Sequence, residues 1–325
     1  MSLNSLETAS KLDAVVPITL KDYDRFTILE RTINYFCKDL FNIVWIVVPD
    51  QDLKEIKEKI KDTTYRVISD SELVPEFKLF PKRGGWFNQQ LIKLAIASRV
   101  ETDFYLTLDA DVICLRPTHF SDLVKDRRAV YYQYSPDKFE FPEWYEWAYK
   151  VLSLPGHPDQ VYYNVTPSVL SRDAVLQLQA YLLECSSSQL KTFRGFNPKS
   201  RNSWLLLQVK LAQVLLPRGS QRRQQLLDWR SYLLRSIPWT EYSLYYTFCT
   251  AQGLLDRYHI RTDNCLYSTE SSIWYKEDYT KWNPASWFSR EQDFFFCVLQ
   301  STTEISPVEV WEQIEPYLLI NNTSA

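Results

Sequence analysis

The chain has 325 residues, enough for one large domain or a domain with a sizeable elaboration. A formal net charge of −3 argues against a general nucleic-acid binder, and no stretch approaches the roughly 18 consecutive apolar residues of a membrane-spanning helix. Aromatics make up 15% of the residues, with 21 Tyr and 11 Trp, and 16 Pro stand against 6 Gly, so ordered loops and aromatic surfaces suited to sugars or bases are expected.

Residues 1–11 form a polar tail with no apolar h-region of a secretory signal. An apolar run, Ala14 to Ile18, predicts a buried strand within 12–20, followed by a polar turn at 21–24. Phe26, Leu29, Ile33, Phe36 and Leu40 then fall at helical spacing behind aspartates that suit a helix start. A second strand is predicted over 42–48, closed by Pro49 and Asp50, then a solvated helix over 52–61 and a third strand over 65–68 ending in Ser69 and Asp70. Strands alternating with helices at this spacing imply parallel βαβ units and a doubly wound, Rossmann-like sheet. No Gly-x-Gly-x-x-Gly follows the first strand, so the dinucleotide fingerprint is absent.

The next helix opens at Gly84 and Gly85, with Leu91, Leu94 and Ala95 supplying its inner face and Asn88, Gln89 and Lys93 sharing another. A lone helical lysine is usually solvated, but one placed just before an acidic strand end suits a phosphate. That strand end is the organising stretch, 104–117: an apolar run that finishes in Asp109-Ala110-Asp111, with Pro117 stopping further pairing. Residues two apart on a strand leave from one face, so Asp109 and Asp111 are predicted to point at one spot. Two adjacent carboxylates repel, and a divalent cation relieves them.

Strands are predicted over 129–134 and 161–166 and a helix over 172–184, and the chain between Tyr131 and Tyr163 is dense in Tyr, Trp, Phe and Pro. That density suits either a wall against sugar rings or a hydrophobic cluster beneath a long loop. Residues 186–237 hold ten Lys or Arg and a single acid, Asp228, a net +9 that leaves the rest of the −3 chain at −12. A helix over 203–216 within them is apolar over much of its circumference. This basic helical insertion packs on the core or lies on an anionic membrane surface through 191–235. Residues 238–325 open on a helix that Thr240 caps, with Glu241 in the first turn, where the helix dipole alone would favour a carboxylate. A late strand over 294–301 ends at Gln300 and Ser301, and a final helix follows Ser306-Pro307. The six cysteines form no C-x-x-C pair and sit among apolar neighbours, so buried thiols and a cytoplasmic protein are expected.

The βαβ start over a core of 12–185, the aspartate pair near residue 110 and the missing dinucleotide loop together resemble the GT-A nucleotide-sugar glycosyltransferases. More narrowly, Gly85-Trp86 with Gln89 to Leu94, then Leu108 to Asp111, then Thr240 to Tyr245 look like a poorly characterised bacterial glycosyltransferase-like family. The resemblance implies a GT-A fold and transfer of a sugar from a nucleotide-diphosphate donor, a UDP-sugar as first guess, to a saccharide, lipid-linked or small-molecule acceptor. It implies Mn²⁺ or Mg²⁺ held by Asp109 and Asp111, with Gln300 where relatives often carry a histidine. Pro17, Ile18, Thr19 and Asp70 would meet the base and ribose, with Asp50 a further candidate. Gln89, Lys93 and Ala110 would meet the rest of the donor. Glu241 is the expected base or acceptor anchor, with Asp111 beside it in the chemistry. The alternatives are a catalytically silent nucleotide- or sugar-binding protein of the same fold, or a phosphatase using Asp109 as nucleophile.

Overall fold

A computed structural model describes residues 11–321 apart from 82–83, 157–159, 194–195, 198, 237, 268–271 and 289–293. The polar tail, Lys11 excepted, lies outside the described residues.

Strands β1 (Leu12–Pro17), β2 (Phe41–Val48), β3 (Tyr65–Ser69) and β4 (Phe104–Thr107) are mutually parallel, and the strand Ser168–Ser171 pairs antiparallel with β4. The resulting five-stranded sheet has the order Ser168–Ser171, β4, β1, β2, β3. Every residue of β1 is buried, as expected of a parallel strand covered on both faces. Alternate residues feed two separate cores: Ala14, Val16, Val44 and Ile46 one, and Val15, Ile43, Trp45 and Val47 the other. Asp13, buried inside β1, is satisfied by the Asn42 amide, the Trp45 indole and the Glu101 N–H.

The helix Tyr23–Phe36 crosses from β1 to β2 on the first face, whereas the helix Gly85–Ala95 crosses from β3 to β4 with its buried residues in the second core. The winding therefore reverses between β1 and β4, and the sheet is doubly wound. The second face is completed by the helices Arg172–Thr192 and Glu241–Ala251. A short strand β5 (Val112–Cys114) leaves the main sheet to pair antiparallel with Phe296–Val298.

Several elements depart from expectation: the strand predicted over 294–301 is confined to Phe296–Val298, and the one over 129–134 divides into Arg128–Tyr131 and Gln133–Tyr134. The strand predicted over 161–166 shrinks to Tyr162–Tyr163, which pairs with Gln133–Tyr134, and the chain joins the main sheet only at Ser168–Ser171. All four of those residues are buried although two are serines. Their polarity is absorbed locally: Ser168 Oγ accepts from the Asn164 amide and meets the Tyr246 hydroxyl, while Ser171 Oγ caps the next helix through Ala174 N–H.

Within 186–237, the helices Gln221–Leu227 and Trp229–Arg235 pack on Arg172–Thr192, and Arg201–Leu215 packs on Gln221–Leu227. Val209 and Ala212 turn inward, while Trp204 (48% exposed), Leu211 (48%), Val214 (77%) and Leu215 (73%) face solvent. No helix among the described residues is long and apolar enough to cross a membrane. All six cysteines are free thiols, and five are buried.

Candidate active site

Ligands of open α/β sheets sit at the carboxyl ends of strands, where the winding reverses. Here that point lies between β1 and β4, which run side by side with Val15 opposite Thr107. Beyond Thr107 the chain turns: Leu108 N–H donates to Val15 O, and Val112 N–H closes the turn onto Asp109 O at 3.2 Å. Asp109-Ala110-Asp111 therefore occupies a turn just past the end of β4, between strands of two different sheets, and is not itself part of a strand. The cause is pairing: β4 stops at Thr107, and β5 takes Phe296–Val298 as its partner.

The two aspartates accordingly have different neighbours. Asp109 Oδ1 lies 2.7 Å from Lys93 Nζ. Asp111 Oδ2 accepts from Ser301 N–H at 2.9 Å, and its carbonyl accepts from Leu299 N–H at 2.8 Å, so Gln300 sits in the segment that closes over Asp111.

Lys93 is 3% exposed and also lies 3.0 Å from Glu241 Oε1 and 3.4 Å from the Tyr242 hydroxyl. Glu241 is placed by two caps: Gln90 Oε1 accepts its N–H, and Thr240 Oγ1 accepts from Ser243 N–H. Thr107 Oγ1 pairs with the Tyr242 hydroxyl at 2.9 Å and Tyr105 donates to Lys93 O, tying β4 to both helices. The three motif blocks, 85–94, 108–111 and 240–245, thus meet around one buried ammonium.

One cation is shared between two carboxylates. Burial opposes the charge on Lys93, but Asp109 and Glu241 outweigh it and hold the ammonium well above its ordinary range. Burial pushes the Glu241 carboxyl up, and Lys93 offsets this only in part. Burial, then the charge of Asp109, pushes Asp111 up to about 7 against the pull of Ser301 N–H and Arg25. Glu241 Oε2 is buried with no hydrogen-bond partner among the described residues.

The remaining candidates spread along the same edge. Pro17 ends β1, Ile18 is buried, and Thr19 bonds the Asp22 carboxylate through its hydroxyl at 2.7 Å. Asp70 begins the turn after β3, raised by burial, and Asp50 follows β2 and accepts from the Ser71 hydroxyl. Ala110 is buried inside the aspartate turn; Gln89 is half-buried, and the neighbouring Gln90 makes the contact with Glu241.

Sequence reasoning missed Arg25. Its buried guanidinium donates to the carbonyls of Leu299, Ser301 and Ile305, folding the late segment against Asp111. The only signal was a cation on the otherwise apolar inner face of an amphipathic helix.

Two carboxylates close enough for one to raise the other suit a hard cation. Among the described residues no three His, Cys, Asp or Glu group as a cage. Asp109 and Asp111 could supply one or two carboxylates to a hard cation such as Mg²⁺ or Mn²⁺, whose other ligands would come from outside this pair.

No curated protein matches the chain in sequence. Two solved structures of the galactosyltransferase LgtC are similar in outline. The complex with donor and acceptor sugar analogs has a TM-score of 0.35 and 11% identity, covering 57% of this chain and 67% of that one. An active-site mutant of LgtC has a TM-score of 0.36 and 10% identity, covering 66% and 83%. Likeness at this level carries no argument about the site. The match that places the chain is to a family model over residues 9–322: the chain belongs to DUF6492, a family of unknown function.

Proposed function

We propose that the chain is a GT-A-type glycosyltransferase that moves a sugar from a nucleotide-diphosphate donor, UDP-linked as first choice, to a saccharide, glycolipid or small-molecule acceptor. The observation that carries this reading is the acidic turn at the winding reversal, beside a second buried carboxylate that keeps one oxygen unpartnered. A divalent ion bound at Asp109 and Asp111, with Gln300 alongside, would hold and neutralise the departing diphosphate.

The chain's own residues do the rest. Asp111 is kept in place by Ser301 N–H, and Asp109 by Lys93. Lys93 is matched by two carboxylates, so its influence on a phosphate runs through Asp109. Glu241 leaves Oε2 to accept a proton or hydrogen bond from an acceptor hydroxyl, as base or anchor. Pro17, Ile18, Thr19 and Asp70 line the edge on which base and ribose would lie, with Gln89 and Ala110 nearer the diphosphate.

Aromatic residues favour a saccharide acceptor. Trp86, Gln90 and Lys93 fall at i, i+4 and i+7, one helix face that leads from the surface to the buried centre. Trp86 is 47% exposed and lies against Trp144, which stacks on Phe141 at 4.4 Å. A second element of the reading is peripheral contact with an anionic membrane surface through 191–235, favoured by the exposed apolar stripe on Arg201–Leu215.

A thermal-shift panel of nucleotide-sugars with and without Mn²⁺ identifies the donor, because a ligand bound only by the native state raises the midpoint. Asp109→Ala and Asp111→Ala are expected to lose Mn²⁺-dependent UDP binding in calorimetry. Wild-type binding by both variants would overturn the reading, and donor binding without UDP release would leave a nucleotide-sugar-binding protein.

A further inference from the structure

Within the basic part of the chain, a cavity of about 150 Å³ opens between the helices Glu143–Val151, Arg172–Thr192, Arg201–Leu215 and Trp229–Arg235. That is room for about five waters at liquid density. Arg235, Lys150, Gln189, Ser236, Trp147 and Tyr232 are among its lining residues.

Arg235 is 4% exposed. Its two terminal nitrogens donate to neutral groups, Leu226 O and Ser186 Oγ, each at 3.2 Å. Among the described residues its Nε is buried without a hydrogen-bond partner and no carboxylate lies within ion-pair distance, while the guanidinium sits over the Tyr232 ring at 5.8 Å. The cost of burying the guanidinium shows in its pKa, lowered to about 10. A buried cation is ordinarily matched by an anion, because an unmatched one forfeits its hydration with no charge in return. Lys150, exposed beside the cavity over the Trp147 ring at 4.5 Å, adds a second positive charge. Gln189 adds a buried carboxamide whose oxygen has no partner among the described residues. Arg235, with no carboxylate at ion-pair distance, and Lys150 thus place two positive charges at one small open cavity.

We propose that this cavity binds a phosphate-class oxyanion, with Arg235 as its fixed cation and Lys150 as the charge beside it. A planar guanidinium suits a tetrahedral oxyanion, and a charge-assisted hydrogen bond is about twice as strong as a neutral one. The phosphate can belong to a soluble phosphorylated molecule or to a lipid headgroup; the chemistry is the same. The site uses none of the residues assigned to glycosyl transfer, so it stands or falls separately.

The test is the thermal midpoint of the full chain with inorganic phosphate, against chloride at equal ionic strength. Wild type should melt higher in phosphate, and so should Asp109→Ala, which separates this cavity from the acidic turn. Lys150→Glu, a surface change, should weaken phosphate binding by about tenfold or more. Arg235→Met should abolish it, and if that variant fails to fold, Lys150→Glu decides. No shift beyond chloride, or the same shift in Lys150→Glu, would overturn the proposal. Vesicles of phosphatidylcholine with and without phosphatidic acid then separate the sources. Pelleting only with phosphatidic acid, lost in Lys150→Glu, assigns a headgroup; a phosphate shift without pelleting assigns a soluble ligand.

Discussion

Lys93 sits where a lysine is least expected, with its charge used entirely inside the protein. Removing one partner of a buried ionic group usually costs about 3–5 kcal/mol, because the other is left uncompensated. Lys93→Met should therefore lower unfolding stability by about that much in denaturant titrations, whereas an exposed lysine would change it by about 0.5 kcal/mol or less. A change of that smaller size would show that Lys93 is not the counter-ion. His259 makes a separate prediction. It is buried, its Nε2 lies 2.7 Å from the Tyr245 hydroxyl, and burial drives its pKa down to about 3, which the Ala129 backbone only partly offsets. A histidine lowered in the folded state stays neutral there while the unfolded chain takes up a proton below about 6.5. The contribution of His259 to stability should hence fall by about 1.4 kcal/mol for each pH unit between roughly 6 and 3, and His259→Gln should remove one proton from the slope. A native-state NMR titration of the His259 imidazole near 6.5 would refute it.

At the scale of the element, the helix Gly85–Ala95 carries an exposed tryptophan at one end and a buried lysine two turns on. If Trp86 stacks on a sugar ring, Trp86→Ala should raise the Michaelis constant for the acceptor by about fivefold, as aromatic contacts of about 1 kcal/mol imply, and spare the donor. Equal effects on both substrates would assign Trp86 to general packing. The Arg201–Leu215 helix makes the other prediction. Trp204, Leu211, Val214 and Leu215 share a face turned to solvent, and exposed Arg218 and Arg222 follow it. Each basic residue near an anionic surface contributes about 1 kcal/mol of attraction. Liposomes with anionic lipid should pellet the protein at low salt and release it as salt rises, and Val214→Asp with Leu215→Asp should abolish pelleting. Failure to pellet at low salt would refute membrane contact. These elements were legible because periodicity reports helices and buried strands directly. Ser168–Ser171 was not, since its polar residues are satisfied by partners as distant in sequence as Tyr246. The aspartate turn was misread for a related reason: whether Asp109 and Asp111 lie on a strand depends on where β4 loses its neighbour, which no local pattern records.

At the scale of the whole molecule, the sheet order brings together what the sequence could only name separately. The motif blocks were visible as residue types, and their convergence on Lys93 was not, because it depends on helices from opposite ends of the chain packing on one face of the sheet. Arg25 and Ser301 show the same limit, being separated by 276 residues yet joined by a hydrogen bond.

That separation matters while the protein is being made. Asp111 waits for the N–H of Ser301, 190 residues later, and Lys93 for the carboxylate of Glu241, 148 residues later. A chain emerging from the ribosome can pair β1 with β2 early, but the acidic turn stays open and the lysine lacks one of its two partners until most of the sequence has appeared. A transcript cut short before residue 296 would therefore yield a protein that holds much of its sheet while β5 has no strand to meet and Asp111 no lid.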